Sequence, residues 1–349
     1  MQIVIFGLSL SSSWGNGHAT TFRSLLKGLK ARGHTVNFFE RNEPLYAENR
    51  DLPEDPDLHF YDDIPAVVQQ CHQKLKEADL VIIGSYVRDA SELIRQCERT
   101  SRGVLAYYDI DTPVTLALLA ENRCPYLDRE QLPAFDVYFT FAGGPVIDRL
   151  QALGVRYATP LYCSVDPEVH APAPVDIDTD LGYLGTWSED REPGFRQLLL
   201  EPAAAWGVGE FSVAGSNYPD TKRWPQNIRY VPHLPPRQHA QFYSSQRYAL
   251  NLTRADMRRI GYSPSVRLFE AASCGTPVIS DEWPGLDEFF TPGTEILIAD
   301  DGETVLEYIR DLPEDDRAAI ASAARARVLA THTGTQRAAD LEESLRQVV

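Results

Sequence analysis

Short apolar runs rich in β-branched residues alternate with helix-patterned stretches along the whole chain, and this alternation restricts the fold most. Ile3–Phe6 is such a run. A small-residue loop follows, then a stretch over 18–32 with Phe22, Leu25, Leu26 and Leu29 on one face, closed by Gly33. Thr35–Phe39 is the next run. Strand, glycine-bearing loop, helix and strand make one right-handed crossover of a parallel sheet. Similar runs come at Leu80–Ile83, Val104–Tyr108 and Val137–Thr140, while 42–63 is charged, Pro-bearing and aperiodic, and reads as a loop. After a Pro- and Asp-rich stretch the pattern restarts at Leu181–Leu184, Phe211–Ala214, Ile228–Val231, Tyr248–Leu252, Val278–Ile279 and Ile296–Ile298. The fold class is therefore α/β, with two Rossmann-like doubly wound domains facing across a cleft. The expected division is 1–165, a linker at 166–180, a second domain over 181–331 and a terminal helix in 332–349.

A chain of 349 residues is more naturally two domains than one. With 33 basic against 50 acidic residues the formal net charge is −17, which argues against a nucleic-acid partner bound through a broad basic face. The five cysteines lack metal-ligand spacing and read as free thiols of a reducing compartment. Met1–Gly7 starts a strand without a basic segment before it, so no secretory leader is expected, and no apolar run reaches membrane-spanning length. The expected location is cytoplasmic.

The chemistry concentrates in Ser263–Asp281, SPSVRLFEAASCGTPVISD. Ser263 suits a helix cap, Pro264 its first position and Gly275 its left-handed end. Leu268, Phe269 and Ala272 form an apolar side, with Ser263, Arg267 and Glu270 opposite. Hydroxyls, here Ser263 and Ser265, helix N–H groups, a guanidinium and a carboxylate suit a nucleoside diphosphate: cations for phosphate, carboxylate for ribose. The plainer alternative is an amphipathic helix whose Arg267 and Glu270 form a surface pair. Gly185, Arg191, Gly215 and Arg254 fall at or just beyond carboxyl ends of strands in the same half, where open α/β sheets hold ligands. Arg191 and Arg254 are the cations best placed for a diphosphate, with solvated surface arginines as the plainer alternative.

In the first half, Gly15-Asn16-Gly17-His18 sets a histidine at a helix start beside glycines that let a ligand approach. A helix N-terminus disfavours imidazolium, so His18 suits a proton acceptor, with a partly exposed histidine of the capping region as the plainer alternative. Asp109-Ile110-Asp111 ends a strand and spells D-x-D, which reads as coincidence rather than a metal motif. Asp111 is either a second base candidate or a helix cap, and Asp109 a turn residue.

FEAASCGTPVISDEWPGLDEFF resembles the nucleotide-sugar signature of GT-B glycosyltransferases, through Glu270, Ala271, Cys274, Gly275, Pro277 and Val278-Ile279, then Gly285 to Glu288. LGTWSEDR, NLTRADM, SSSWGNGHATTFR and YYDIDTP are similar to the spore-maturation (CgeB-type) group. The resemblance implies a glycosyltransferase, with hexosyl transfer expected, that takes a nucleotide-sugar donor as co-substrate and a saccharide or other hydroxyl acceptor, without metal or cofactor. It implies that Glu270 holds the donor ribose. It also implies that Gly15, Asn16 and Gly17 form an acceptor-side loop with His18. Retaining members with two glutamates carry the first where this chain has Tyr262, which favours an inverting path. Alternatives are a nucleotide-sugar 2-epimerase of the same fold or a non-catalytic sugar-nucleotide-binding or structural protein.

Overall fold

The computed structural model describes residues 1–14 and 17–349. They divide into two compact units, one of 1–164 with 333–349 and one of 165–332.

The first unit is built on seven strands: β1 Gln2–Gly7, β2 Thr35–Arg41, β3 Leu58–Tyr61, β4 Leu80–Gly84, β5 Val104–Asp109, β6 Val137–Thr140 and β7 Ala158–Pro160. Their order is β3-β2-β1-β4-β5-β6-β7, and every pairing is parallel. The central strands are apolar almost throughout because both faces are covered; all of LVIIG in β4 is buried. The strand order reverses between β1 and β4, the switch point at which open sheets bind ligands. The reading of 42–63 as a loop is corrected by β3, which pairs with Phe38–Arg41 of β2. This edge strand is short and mostly half-exposed, so it shows little apolar run.

The helix His18–Ala31 buries Phe22, Leu25, Leu26 and Leu29 as its spacing predicts, and Gly33 follows with φ +83°. The terminal helix Gly334–Leu345 belongs to this unit by contact and packs on His18–Ala31 at two glycines. A Cβ on Gly28 would come within 2.2 Å of the Gly334 carbonyl oxygen. Arg32 donates to Glu342 through two nitrogens at 2.7 and 2.6 Å.

The second unit carries β8 Thr179–Leu184, β9 Phe211–Ala214, β10 Ile228–Val231, β11 Gln246–Asn251, β12 Val278–Ser280 and β13 Leu297–Ile298. The order is β10-β9-β8-β11-β12-β13, again all parallel, with the reversal between β8 and β11. Tyr183, Phe195, Phe211, Tyr248 and Ile279 anchor its core. Residues 165–178, expected within or beside a linker, are part of this unit, and His170 among them is buried.

Candidate functional site

In the second unit the signature helix is Val266–Ser273, and it is buried on all sides from Arg267 to Ser273. Two expectations are corrected here. The residue before the helix is Ser265 rather than Ser263, because Pro264 favours extended backbone around it and the helical turn starts later. Ser263 is instead buried, its Oγ without a hydrogen-bond partner among the described residues. Ser265 is half-buried and makes no side-chain cap bond. Second, Arg267 and Glu270 are 7% and 4% exposed, which removes the surface-pair reading.

Arg267 braces the sheet at its switch point. Its Nε donates to the Leu184 carbonyl at the end of β8, and one terminal nitrogen donates to Asn251 Oδ1 of β11 at 2.9 Å. The guanidinium also lies 4.7 Å from the centre of the Tyr183 ring. Gly185 leaves room for this side chain, since a Cβ there would meet an Arg267 nitrogen at 2.6 Å. Gly215, with φ +148°, packs so closely that its Cβ would fall 2.0 Å from the Gly185 carbonyl oxygen. The two glycines thus bring the ends of β8 and β9 together above the brace.

Arg191 and Arg254 meet around Asp190. Arg254 Nε donates to Asp190 Oδ2 at 3.3 Å, and Arg191 donates to the Thr186 carbonyl at 3.2 Å. Arg191 Nε is buried without a hydrogen-bond partner among the described residues. Burial raises the Asp190 pKa, but its hydrogen bond to Ser188 and both arginines outweigh that and leave it below its ordinary value. The edge therefore brings two guanidiniums to one carboxylate.

Glu270 receives the Tyr243 hydroxyl on Oε2 at 3.0 Å, and its Oε1 lies 3.5 Å from His170 Nε2. Burial alone would push its pKa up; His170, His239, the Tyr243 bond and Arg267 reverse this, so the group stays ionised. Ahead of the helix, Tyr262 sits at φ +54° and donates its backbone N–H to Pro284 at 2.7 Å. A left-handed tyrosine is a strained choice, and here it leans over Gly285, whose absent side chain makes room for the ring.

In the first unit Gly15 and Asn16 lie outside the described residues. Gly17 is exposed and precedes the helix, and His18 opens it, half-buried. The loop leading there is held by buried Glu40 of β2, which accepts from the N–H groups of Leu10 and Ser11 at 2.6 and 2.8 Å. The His18 ring lies 5.4 Å from that of Tyr86, whose hydroxyl donates to Asp111 Oδ2 at 2.8 Å. Burial lowers the His18 pKa, with Asp111 opposing. Asp111 does not cap the next helix with its side chain; the Tyr86 hydroxyl takes it instead. Tyr86 is left-handed at φ +66°. Burial and the Asp111 charge keep its hydroxyl protonated.

Asp109 is fully buried, with Tyr138 donating at 2.6 Å and Thr115 at 2.8 Å, and burial pushes its pKa up to about 6. It ties β5, β6 and the following helix together. Tyr86, Tyr243, His170 and His239 escaped the sequence reading. Only Tyr86 had a local signal, its position after Gly84-Ser85 at a strand end beside the switch point.

Comparison with known proteins agrees with this fold. Residues 191–343 match the model of a family described as Glycosyl transferase-like. The sucrose-phosphate synthase of Thermosynechococcus elongatus has the same fold, with TM-score 0.69 at 16% identity over 99% of both chains. HepE of Anabaena, solved in complex with UDP-glucose, gives 0.68 at 14% over 99% of both. An alpha-glucosyltransferase solved with UDP and a 13-mer DNA containing a HMU base gives 0.71 at 12% over 99% of both. No curated protein sequence matches the chain. Two parallel-sheet Rossmann-like units in this arrangement of strands are the GT-B fold of glycosyltransferases. No helix among the described residues is long and apolar enough to cross a membrane.

Proposed function

We propose that the chain is a glycosyltransferase that moves a hexosyl group from a nucleoside diphosphate sugar to an acceptor hydroxyl. The observation that carries this is the Arg267 brace, which fixes the Glu270-bearing helix at the β8/β11 switch point beside the Arg191–Asp190–Arg254 cluster. In this reading the diphosphate lies against Arg191 and Arg254 and the ribose hydroxyls donate to Glu270. The neighbours solved with UDP and UDP-glucose make a uridine diphosphate sugar the first donor to test.

The acceptor belongs to the first unit. A cavity of about 260 Å³ there is lined by Gly7, Leu8, Leu45, Tyr46, Tyr61 and Tyr86, and Tyr86 connects it to His18 and Asp111. The neutral imidazole of His18 takes the acceptor proton as the hydroxyl oxygen bonds to the sugar carbon. The bond from that carbon to the diphosphate oxygen breaks, and Arg191 and Arg254 receive the charge. Tyr86 and Asp111 hold the imidazole in place, and the product is inverted relative to the donor.

Transfer needs no divalent metal at the diphosphate. Both Asp109 oxygens are engaged inside the fold, which keeps the D-x-D pair from presenting two ligands together. A net charge of −17 supports a saccharide or other small hydroxyl acceptor rather than a nucleic acid. Five free cysteines suit a cytoplasmic setting. The LGTWSEDR and YYDIDTP segments support the spore-maturation (CgeB-type) group as the closer affiliation.

Incubation with UDP-glucose and a panel of saccharides tests the reading. Acceptor-dependent release of UDP that persists in EDTA supports it. A new sugar nucleotide would mark an epimerase, and saturable binding without turnover a non-catalytic protein.

A further inference from the structure

We propose that His170, His239 and Glu270 form a binding site for a divalent transition metal of the zinc class, wholly within the second unit. One ligand atom from each of the three lies within 4.8 Å of the others. Two imidazoles and one carboxylate are a known three-ligand zinc set, with a fourth position left for water or a ligand.

Two of the three donors are already oriented by a neighbour. His239 Nε2 faces the Leu234 carbonyl at 3.2 Å. A carbonyl only accepts, so Nε2 carries the hydrogen and Nδ1 keeps its lone pair. That Nδ1 is buried without a hydrogen-bond partner among the described residues. Tyr243 holds Glu270 by Oε2 and leaves Oε1 toward His170. A carbonyl behind a histidine and a hydroxyl behind a carboxylate are the supports that metal ligands usually have.

His170 supplies the second reason. The residue is 3% exposed, and neither ring nitrogen has a hydrogen-bond partner among the described residues. Its distance of 3.5 Å to Glu270 Oε1 is too long for a good N–H···O bond. A simple histidine–glutamate pair would also leave His239 Nδ1 unused. Buried polar atoms without partners call for an ion or water, and one cation accepts a lone pair from all three groups.

The site shares Glu270 with the proposed ribose anchor, so metal and donor compete for one carboxylate. That consequence rests on the proposed function; the metal site itself does not. Occupancy is therefore inhibitory to transfer, not required for it.

The test uses the full chain without a histidine tag, freed of metal by chelation and titrated with zinc by calorimetry and with cobalt by visible absorption. One equivalent should bind, and cobalt should give the intense d–d bands of a low-coordinate site. His239→Gln, at a half-buried position, should weaken binding by at least ~100-fold, more than loss of a supporting group does. His170→Gln should do the same, and if it fails to fold His239→Gln still decides. No stoichiometric binding, or equal binding by His239→Gln, overturns the site. UDP titration without metal reads the donor site separately, so either proposal can fail while the other stands.

Discussion

The two units use the same strand–loop–helix device at the switch points of their sheets and load it oppositely. In the first, His18, Tyr86 and Asp111 stand at loop ends, and the histidine and aspartate are half-buried. In the second, Arg267 and Glu270 are inside a helix buried on every side, with partners on three other elements. The difference matches the roles proposed for His18 as proton acceptor and Glu270 as ribose anchor. A proton acceptor has to be neutral and reachable, which partial burial at a helix start achieves for His18. A ribose anchor has to stay charged in a dry place, which takes neighbours to offset desolvation. Burial drives both pKa values; only Glu270 has enough compensation to resist it.

The sharpest way to break this comparison is His18→Ala. Turnover should fall by about two orders of magnitude or more with UDP affinity intact, measured by UDP release and calorimetry. A fully active variant would reduce His18 to a loop residue. The sheet edge of the second unit should respond through stability instead. Gly215→Ala places a methyl against the Gly185 carbonyl and should cost about 1–3 kcal/mol in urea unfolding. Unchanged stability would mean the β8 and β9 ends can part freely.

The pH dependence separates the units further. His18 has its pKa lowered from the usual 6.5, so the acid limb of kcat/KM should lie below pH 6.5. A limb at or above that value would assign the base elsewhere. The smallest effect concerns Glu342, which Arg32 and, against slight desolvation, His34 hold down to a pKa of about 2, from 4.5. A lowered carboxylate pKa stabilises the fold above the unfolded value and loses this as pH falls from 4.5 toward 2. Glu342→Gln should therefore cost ~0.2–1 kcal/mol near neutrality, narrowing in acid; a deficit that grows in acid would contradict the pairing.

Much of this was legible in the sequence because parallel strands buried on both faces write themselves as apolar runs, as in β1 and β4. The signature stretch likewise gave away the Glu270 helix. β3 stayed hidden because an edge strand with one buried residue carries no such run. Ser263 misled because a serine before proline looks like a cap, whereas the helix waits for Ser265. His170, His239 and Tyr243 reach Glu270 only through tertiary packing, and nothing local marks any of them as its partner.

The central claim is that Glu270 in the second unit anchors the donor nucleotide while His18 in the first does not. UDP calorimetry on the metal-free parent chain, Glu270→Ala and His18→Ala tests it directly. The parent should bind, Glu270→Ala should lose about 1.5–3 kcal/mol while remaining folded, and His18→Ala should match the parent. Equal affinity in all three, or a loss confined to His18→Ala, would contradict the assignment of the donor to the second unit.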